Sequence, residues 1–144
     1  MNGVQGTITW GPHLVVVGVT TAIVVACVVL HYEALSWLTK LLKRVHLPAR
    51  SRILLLIFSI LLVHIAEIWV FGLGYFGLIQ DATRGALVAM HPIGLFDSVY
   101  FSAVCFTTLG LGDVVPVGAI RFMAGTQTLC GFVLITWSGS FTFV

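Results

Sequence analysis

Residues 107 to 113 read Thr107-Thr108-Leu109-Gly110-Leu111-Gly112-Asp113, and the rest of the chain folds around what this stretch demands. Gly110 and Gly112 alternate with Leu109 and Leu111. Glycine takes positive φ without a Cβ clash, so a backbone of alternating hand would turn successive carbonyls to one side. Upstream, Phe96 to Thr107 is apolar with helical period, and Asp97 with Ser98 supplies an N-terminal cap. It is too short to span a bilayer, so it must leave the membrane or turn back within it. Downstream, Pro116 breaks the chain before an apolar run from Ile120 to Val144. Irregular backbone at membrane depth is tolerated only where protein buries it or water lines it.

The chain around this stretch belongs in lipid. Of 144 residues 59% are hydrophobic and 8% charged, with mean hydropathy +1.10, far from the balance of a soluble domain. A bundle this small does not surround a hydrophilic path alone, so any pore is shared between subunits. Leu14 to Leu30 is an uncharged span, and no Lys or Arg precedes it as a signal peptide would require. Ala34 to Leu47 places Leu35, Leu38, Leu41, Leu42 and Val45 at helical spacing and reads as an interfacial helix closed by Pro48. A second span runs from Ile53 to about Tyr75, and Gly77 to Pro92 is a polar external loop.

Five of the seven basic residues, Lys40, Lys43, Arg44, Arg50 and Arg52, bracket Pro48. They set orientation and do not form a nucleic-acid patch. The expected topology puts the N-terminus outside and the C-terminus in the cytoplasm, with the cell inner membrane as the expected location. No span carries arginines at every third position, which argues against a voltage sensor. The chain stops near the end of the third span, so no ligand-binding domain is expected. Cys27, Cys105 and Cys130 lack metal-type spacing and read as small buried hydrophobes.

Four strands like Thr108–Gly112 around one axis would stack rings of carbonyl oxygens able to replace the hydration shell of a potassium ion, with the Thr108 hydroxyl completing the innermost ring. The short helix would aim its negative C-terminal dipole at the cavity below. The string from Thr107 to Asp113 resembles the potassium-channel signature Thr-x-Gly-Tyr-Gly-Asp, and Phe96-Asp97-Ser98-Val99-Tyr100-Phe101 resembles the pore helix of that family. Ile53–Tyr75 and Ile120–Val144 are similar to the outer and inner helices of two-helix potassium channels, including the bacterial ion-channel domain members. The resemblance implies an all-α membrane protein with three transmembrane helices, a re-entrant pore helix and a filter loop per subunit, assembled as a homotetramer. Residues 51–144 would be the pore domain, and 1–50 an added transmembrane and interfacial segment. It implies passive conduction without enzymatic turnover or cofactor, with potassium held at Thr108, Leu109, Gly110 and Leu111. The partners are lipid and three further copies. The departure is Leu111, where the family usually has Tyr or Phe. Its side chain is expected to pack on Tyr100, Phe101 or Phe106, and the alternative reading is a weakly selective monovalent cation pore.

Three further features carry chemistry. Asp113 would stand in a carboxylate ring at the outer mouth, or pair with Arg121. Glu67, inside a span with His64 one helical turn earlier, reads as a proton-sensing pair, as a filter support bonded to the pore helix, or as a structural contact. A membrane metalloenzyme using His31, Glu33, His64 and Glu67 is the rival from another class; it is disfavoured because His31 and Glu33 fall at the cytoplasmic surface while Glu67 falls in the outer half. Gly125, Gly131 and Gly139 in the third span read as sites of close packing.

Overall fold

The computed structural model describes residues 10–141. Four helices, α1 (Trp10–Arg44), α2 (Ala49–Leu78), α3 (Leu95–Phe106) and α4 (Arg121–Phe141), form the molecule, and all but α3 are long and apolar enough to cross a membrane. The expected continuation of the third span to Val144 lies outside the described residues.

The first helix differs from the sequence reading. Instead of a span followed by a separate interfacial helix, α1 runs unbroken for 35 residues. Leu30-His31-Tyr32-Glu33-Ala34 holds neither glycine nor proline, and polar side chains alone do not interrupt a helical hydrogen-bond ladder. At ~1.5 Å per residue the helix is about 52 Å long, so its basic end projects well beyond a ~30 Å hydrocarbon layer. The chain reverses over residues 45–48, and Pro48 stands at the N-cap of α2. Residues Arg50 to Arg52 join α2 at once, the Arg52 N–H donating to the Pro48 carbonyl at 3.0 Å.

The segment after α2 is more ordered than an external loop. Asp81 accepts from the Thr83 N–H and hydroxyl at 3.0 and 2.7 Å, capping a 3₁₀ turn at Ala82–Arg84. Strand β1 (Ala86–Val88) then pairs antiparallel with β2 (Val115–Val117), Leu87 opposite Pro116. Three-residue strands give no readable alternation. Pro116 is tolerated because the ribbon has only two strands, each of them an edge. This pairing joins the stretch before α3 to the stretch just beyond Asp113.

α3 starts at Leu95, with Gly94 as its N-cap. Asp97 and Ser98 serve that end from inside the first turn and not as the cap itself: Asp97 accepts the Gly94 N–H at 2.7 Å and the Ser98 hydroxyl donates to the Gly94 carbonyl at 3.1 Å. The core gathers around α3, where Phe71, Tyr75 and Leu78 of α2, Met123 and Leu134 of α4, and Val16 and Cys27 of α1 are buried with Phe101 and Phe106. Of the three glycines read as packing positions, Gly131 is the one where a Cβ would meet described atoms. A Cβ there would lie 2.2 Å from the Phe106 carbonyl oxygen, whereas one at Gly125 or Gly139 would meet nothing within 4 Å. The backbone of α4 thus rests directly on the last residue of α3.

Candidate pore segment and the polar clusters behind it

α3 ends in a left-handed cap. The Leu109 N–H donates to the Val104 carbonyl and the Thr108 N–H to the Cys105 carbonyl, both at 3.0 Å, while Thr108 takes φ 59°. That is the Schellman arrangement, usually closed by glycine. A β-branched residue in this region costs on the order of 1 kcal/mol or more. The sequence reading assigned positive φ to the glycines alone. Gly110 and Gly112 follow at φ 59° and 80°, and neither Leu109 nor Leu111 is positive. Every second residue from Thr108 to Gly112 is therefore left-handed.

Gly110, Leu111 and Gly112 make no backbone hydrogen bond to any described residue, and the segment lies on the surface of the single chain. Leu111 keeps 57% of its area exposed and so is not embedded among Tyr100, Phe101 and Phe106 of its own chain, as the sequence reading expected. Behind the segment, a cavity of about 290 Å³ touches Gly110, Gly112, Phe101, Cys105 and Gly125.

Asp113 pairs with Tyr100 and not Arg121. The Tyr100 hydroxyl donates to Asp113 Oδ2 at 2.6 Å, and the Val114 N–H to Oδ1 at 3.1 Å. The Tyr100 hydrogen bond leads the causes that hold the Asp113 carboxyl below its ordinary range, although the group is fully exposed. The end of the segment is thereby tethered to the middle of α3.

A buried polar chain fixes α3 on both flanks. The Tyr75 hydroxyl of α2 donates to Gln127 Oε1 of α4 at 2.8 Å, the Gln127 amide donates to the Ser102 hydroxyl oxygen and carbonyl at 2.7 and 3.1 Å, and the Ser102 hydroxyl donates to the Ile68 carbonyl at 2.7 Å. Tyr75, Ser102 and Gln127 are fully buried. Their isolated positions in apolar runs carried no sequence signal. Each is legible only once the helices are packed.

Glu67 faces protein, as an acidic group in a span should. Its partners lie in α1 and in α2 itself, not in the pore helix: Glu67 Oε1 lies 2.9 Å from His31 Nδ1, and Oε2 lies 2.9 Å from His64 Nδ1. His31 Nε2 in turn lies 3.2 Å from the Ser138 hydroxyl of α4. The His64 ring packs against Phe106 with centroids 5.5 Å apart, placing the cluster level with the end of α3. The depth argument that separated His31 from Glu67 therefore fails. With α1 continuous, His31 sits about 20 Å from the end of α1 and His64 about 22 Å from the start of the antiparallel α2, at ~1.5 Å per residue. Glu33, on the exposed face of α1, takes no part.

Two spanning helices enclosing a short helix and a glycine-rich turn of alternating hand define the architecture of a membrane pore domain. The family model described as "Ion channel" (Ion_trans_2) matches residues 53–143, and the chain belongs to that family of two-transmembrane ion channels, with an added N-terminal helix. It is an integral membrane transport protein and not an enzyme. No curated protein and no solved structure matches the chain.

Proposed function

We propose that the chain is one subunit of a homotetrameric potassium channel, with Thr108 to Gly112 as the selectivity filter and Asp113 at the outer mouth. Residues 51–144 form the pore domain and residues 1–50 flank it. The protein lies in the cell inner membrane with its N-terminus outside, by the basic cluster around Pro48. Lipid and three further copies are its partners, and potassium is its permeant ligand.

One observation carries this reading: Gly110, Leu111 and Gly112 present backbone groups without partners among the described residues, in a segment whose φ signs alternate. Unpaired peptide groups at membrane depth cost several kcal/mol each unless water or an ion satisfies them. Four copies around an axis meet that need with rings of carbonyls facing a dehydrated cation. The cavity behind the segment and the exposed Leu109 and Leu111 side chains are then covered at the interface between copies.

A second reading, a weakly selective monovalent cation pore, is favoured by Leu111. Its side chain offers no hydrogen bond to hold the carbonyl cage at one diameter. Purified protein in liposomes with a potassium gradient tests both readings. Wild type should carry potassium, and Gly110→Ala should abolish the flux while still inserting, because a Cβ opposes φ 59°. Unchanged flux in that variant removes the filter assignment, and cross-linking that stops at a dimer removes the tetramer.

A further inference from the structure

The channel reading makes no use of the most polar cluster in the membrane-spanning part of the molecule. His31, His64 and Glu67 each offer a ligand atom, and these atoms all lie within 4.8 Å of one another. The His31 and Glu67 side chains are fully buried and His64 is 14% exposed. We propose that these three residues form an intramembrane binding site for a divalent transition metal of the zinc class.

The donor set is two imidazole nitrogens and a carboxylate, a combination that suits zinc and its neighbours and not calcium or magnesium, which prefer all-oxygen shells. Both histidines turn Nδ1 toward Glu67, one toward each carboxylate oxygen, at 2.9 Å. Ligand atoms around a tetrahedral zinc stand about 3.3 Å apart, given Zn–N and Zn–O bonds of ~2.0–2.1 Å. Each nitrogen therefore withdraws about 0.4 Å from its oxygen to admit the ion, and the ligand atoms furthest apart, which lie within 4.8 Å, close by up to about 1.5 Å.

The outer shell is also in place. A ligating histidine ordinarily donates its second ring N–H to an oxygen, which fixes the tautomer and the ring plane. His31 has Ser138 Oγ at 3.2 Å from Nε2, so that with Nδ1 on the metal, Nε2–H donates to Ser138. The His31 ring is further held between those of His64 and Trp137, with centroids 5.4 and 5.2 Å away.

Access exists on one side. A cavity of about 290 Å³ between α2 and α4 is lined by His64, Ser138 and Ile135 among others, and it reaches the one ligand that retains exposure. Ile57, Ile60 and Leu61 make the rest of its lining apolar, so His64 and Ser138 are the polar groups an entering ion meets. The ligands come from α1 and α2, and Ser138 brings in α4, so a bound ion ties the N-terminal helix to the pore domain.

The test uses the full chain in detergent, stripped with a chelator and equilibrated with Zn²⁺ or with Co²⁺ alone. One Zn²⁺ per chain should survive gel filtration, and Co²⁺ should give the visible d–d absorption of a low-symmetry four- or five-coordinate site. His64→Gln and Glu67→Gln retain polar side chains of similar size, and each should abolish retention. Ser138→Ala should weaken affinity roughly 10- to 100-fold, the usual effect of losing an outer-shell partner. Gly110→Ala should bind as wild type does, so this result is independent of the filter. A wild-type chain that retains no metal overturns the proposal, as does equal retention by the His64→Gln and Glu67→Gln chains. An intense near-ultraviolet sulfur-to-cobalt band in wild type also overturns it, by placing Cys27 or Cys130 in the shell; this measurement does not depend on the variants folding.

Discussion

Gly131→Ala separates two opposing effects whose magnitudes the structure sets. Alanine is the better helix former by about 1 kcal/mol, so the substitution by itself should strengthen α4. At this position, however, the new Cβ falls 2.2 Å from the Phe106 carbonyl oxygen and 2.9 Å from Phe106 Cα. Ordinary contact begins near 3.4 Å, so α3 and α4 must part by about 1.2 Å, and the obstacle is backbone that no rotamer change can remove. Overpacking costs about 1–3 kcal/mol, and a clash between two backbones belongs at the upper end. The net expectation is a loss of about 2 kcal/mol. Gly18→Ala and Gly77→Ala serve as controls, since both glycines are exposed in helices and a Cβ there meets nothing within 4 Å. They should be neutral or slightly stabilising. Thermal unfolding of the three variants in one detergent measures the difference, and potassium flux in liposomes measures its reach. Phe106 is the last residue of α3 and Thr108 begins the proposed filter, so flux through assembled Gly131→Ala protein should fall by at least about tenfold, as misplacement on this scale commonly costs in precisely held sites. A Gly131→Ala chain as stable and as conductive as Gly77→Ala would refute the claim that α4 positions α3 by backbone contact.

Three other outcomes are expected. Tyr100→Phe removes the hydroxyl that holds the Asp113 carboxyl low; in wild type the mouth charge persists as pH falls through the ordinary carboxylate range near ~3.9, so cation flux in the variant should be lost at higher external pH. Identical acid titrations would dismiss Tyr100 as its support. Leu111→Tyr should lower sodium permeability relative to potassium if cage diameter governs selectivity; an unchanged bi-ionic reversal potential would make Leu111 a packing residue. Gln127→Leu takes the partner from the buried Tyr75 hydroxyl, while the Ser102 hydroxyl keeps its bond to the Ile68 carbonyl, and should cost about 1–3 kcal/mol, part of which Tyr75→Phe restores in the double variant. Strict additivity of the two substitutions would show that the pair is uncoupled.

The parts of this fold that sequence reveals are those governed by local rules. Apolar length identified the spans, shortness set α3 apart from them, and glycine alternation marked the turn of alternating hand that follows it. What escaped depends on packing between distant elements. His31 looked like a surface residue because the next segment was read as lying flat, and only the continuity of α1 lowers it to the level of His64 and Glu67. β1 and β2 are too short for periodicity to detect, and Pro116 argued against one of them. Thr108 conceals its left-handed conformation because threonine ordinarily avoids it; the conformation is imposed by two carbonyls at the end of α3 that need partners. Tyr75, Ser102 and Gln127 looked like isolated polar residues until the helices carrying them met.

The support of α4 is uneven along its length, and this gives it the mechanics of a cantilever. Its upper part is clamped to α3 at Gln127 by hydrogen bonds and at Gly131 by backbone contact. From Gly131 to Phe141 the arm measures about 15 Å at ~1.5 Å per residue. A swing of ~10° about Gly131 would carry its tip roughly 2.6 Å on that geometry, leaving the clamped part still. A polar tie on this arm joins Ser138 to His31, seven residues beyond the fulcrum. Lateral load on the tip would therefore reach His31 of α1 through Ser138 and Trp137, and α1 would feel the movement before the segment after α3 did.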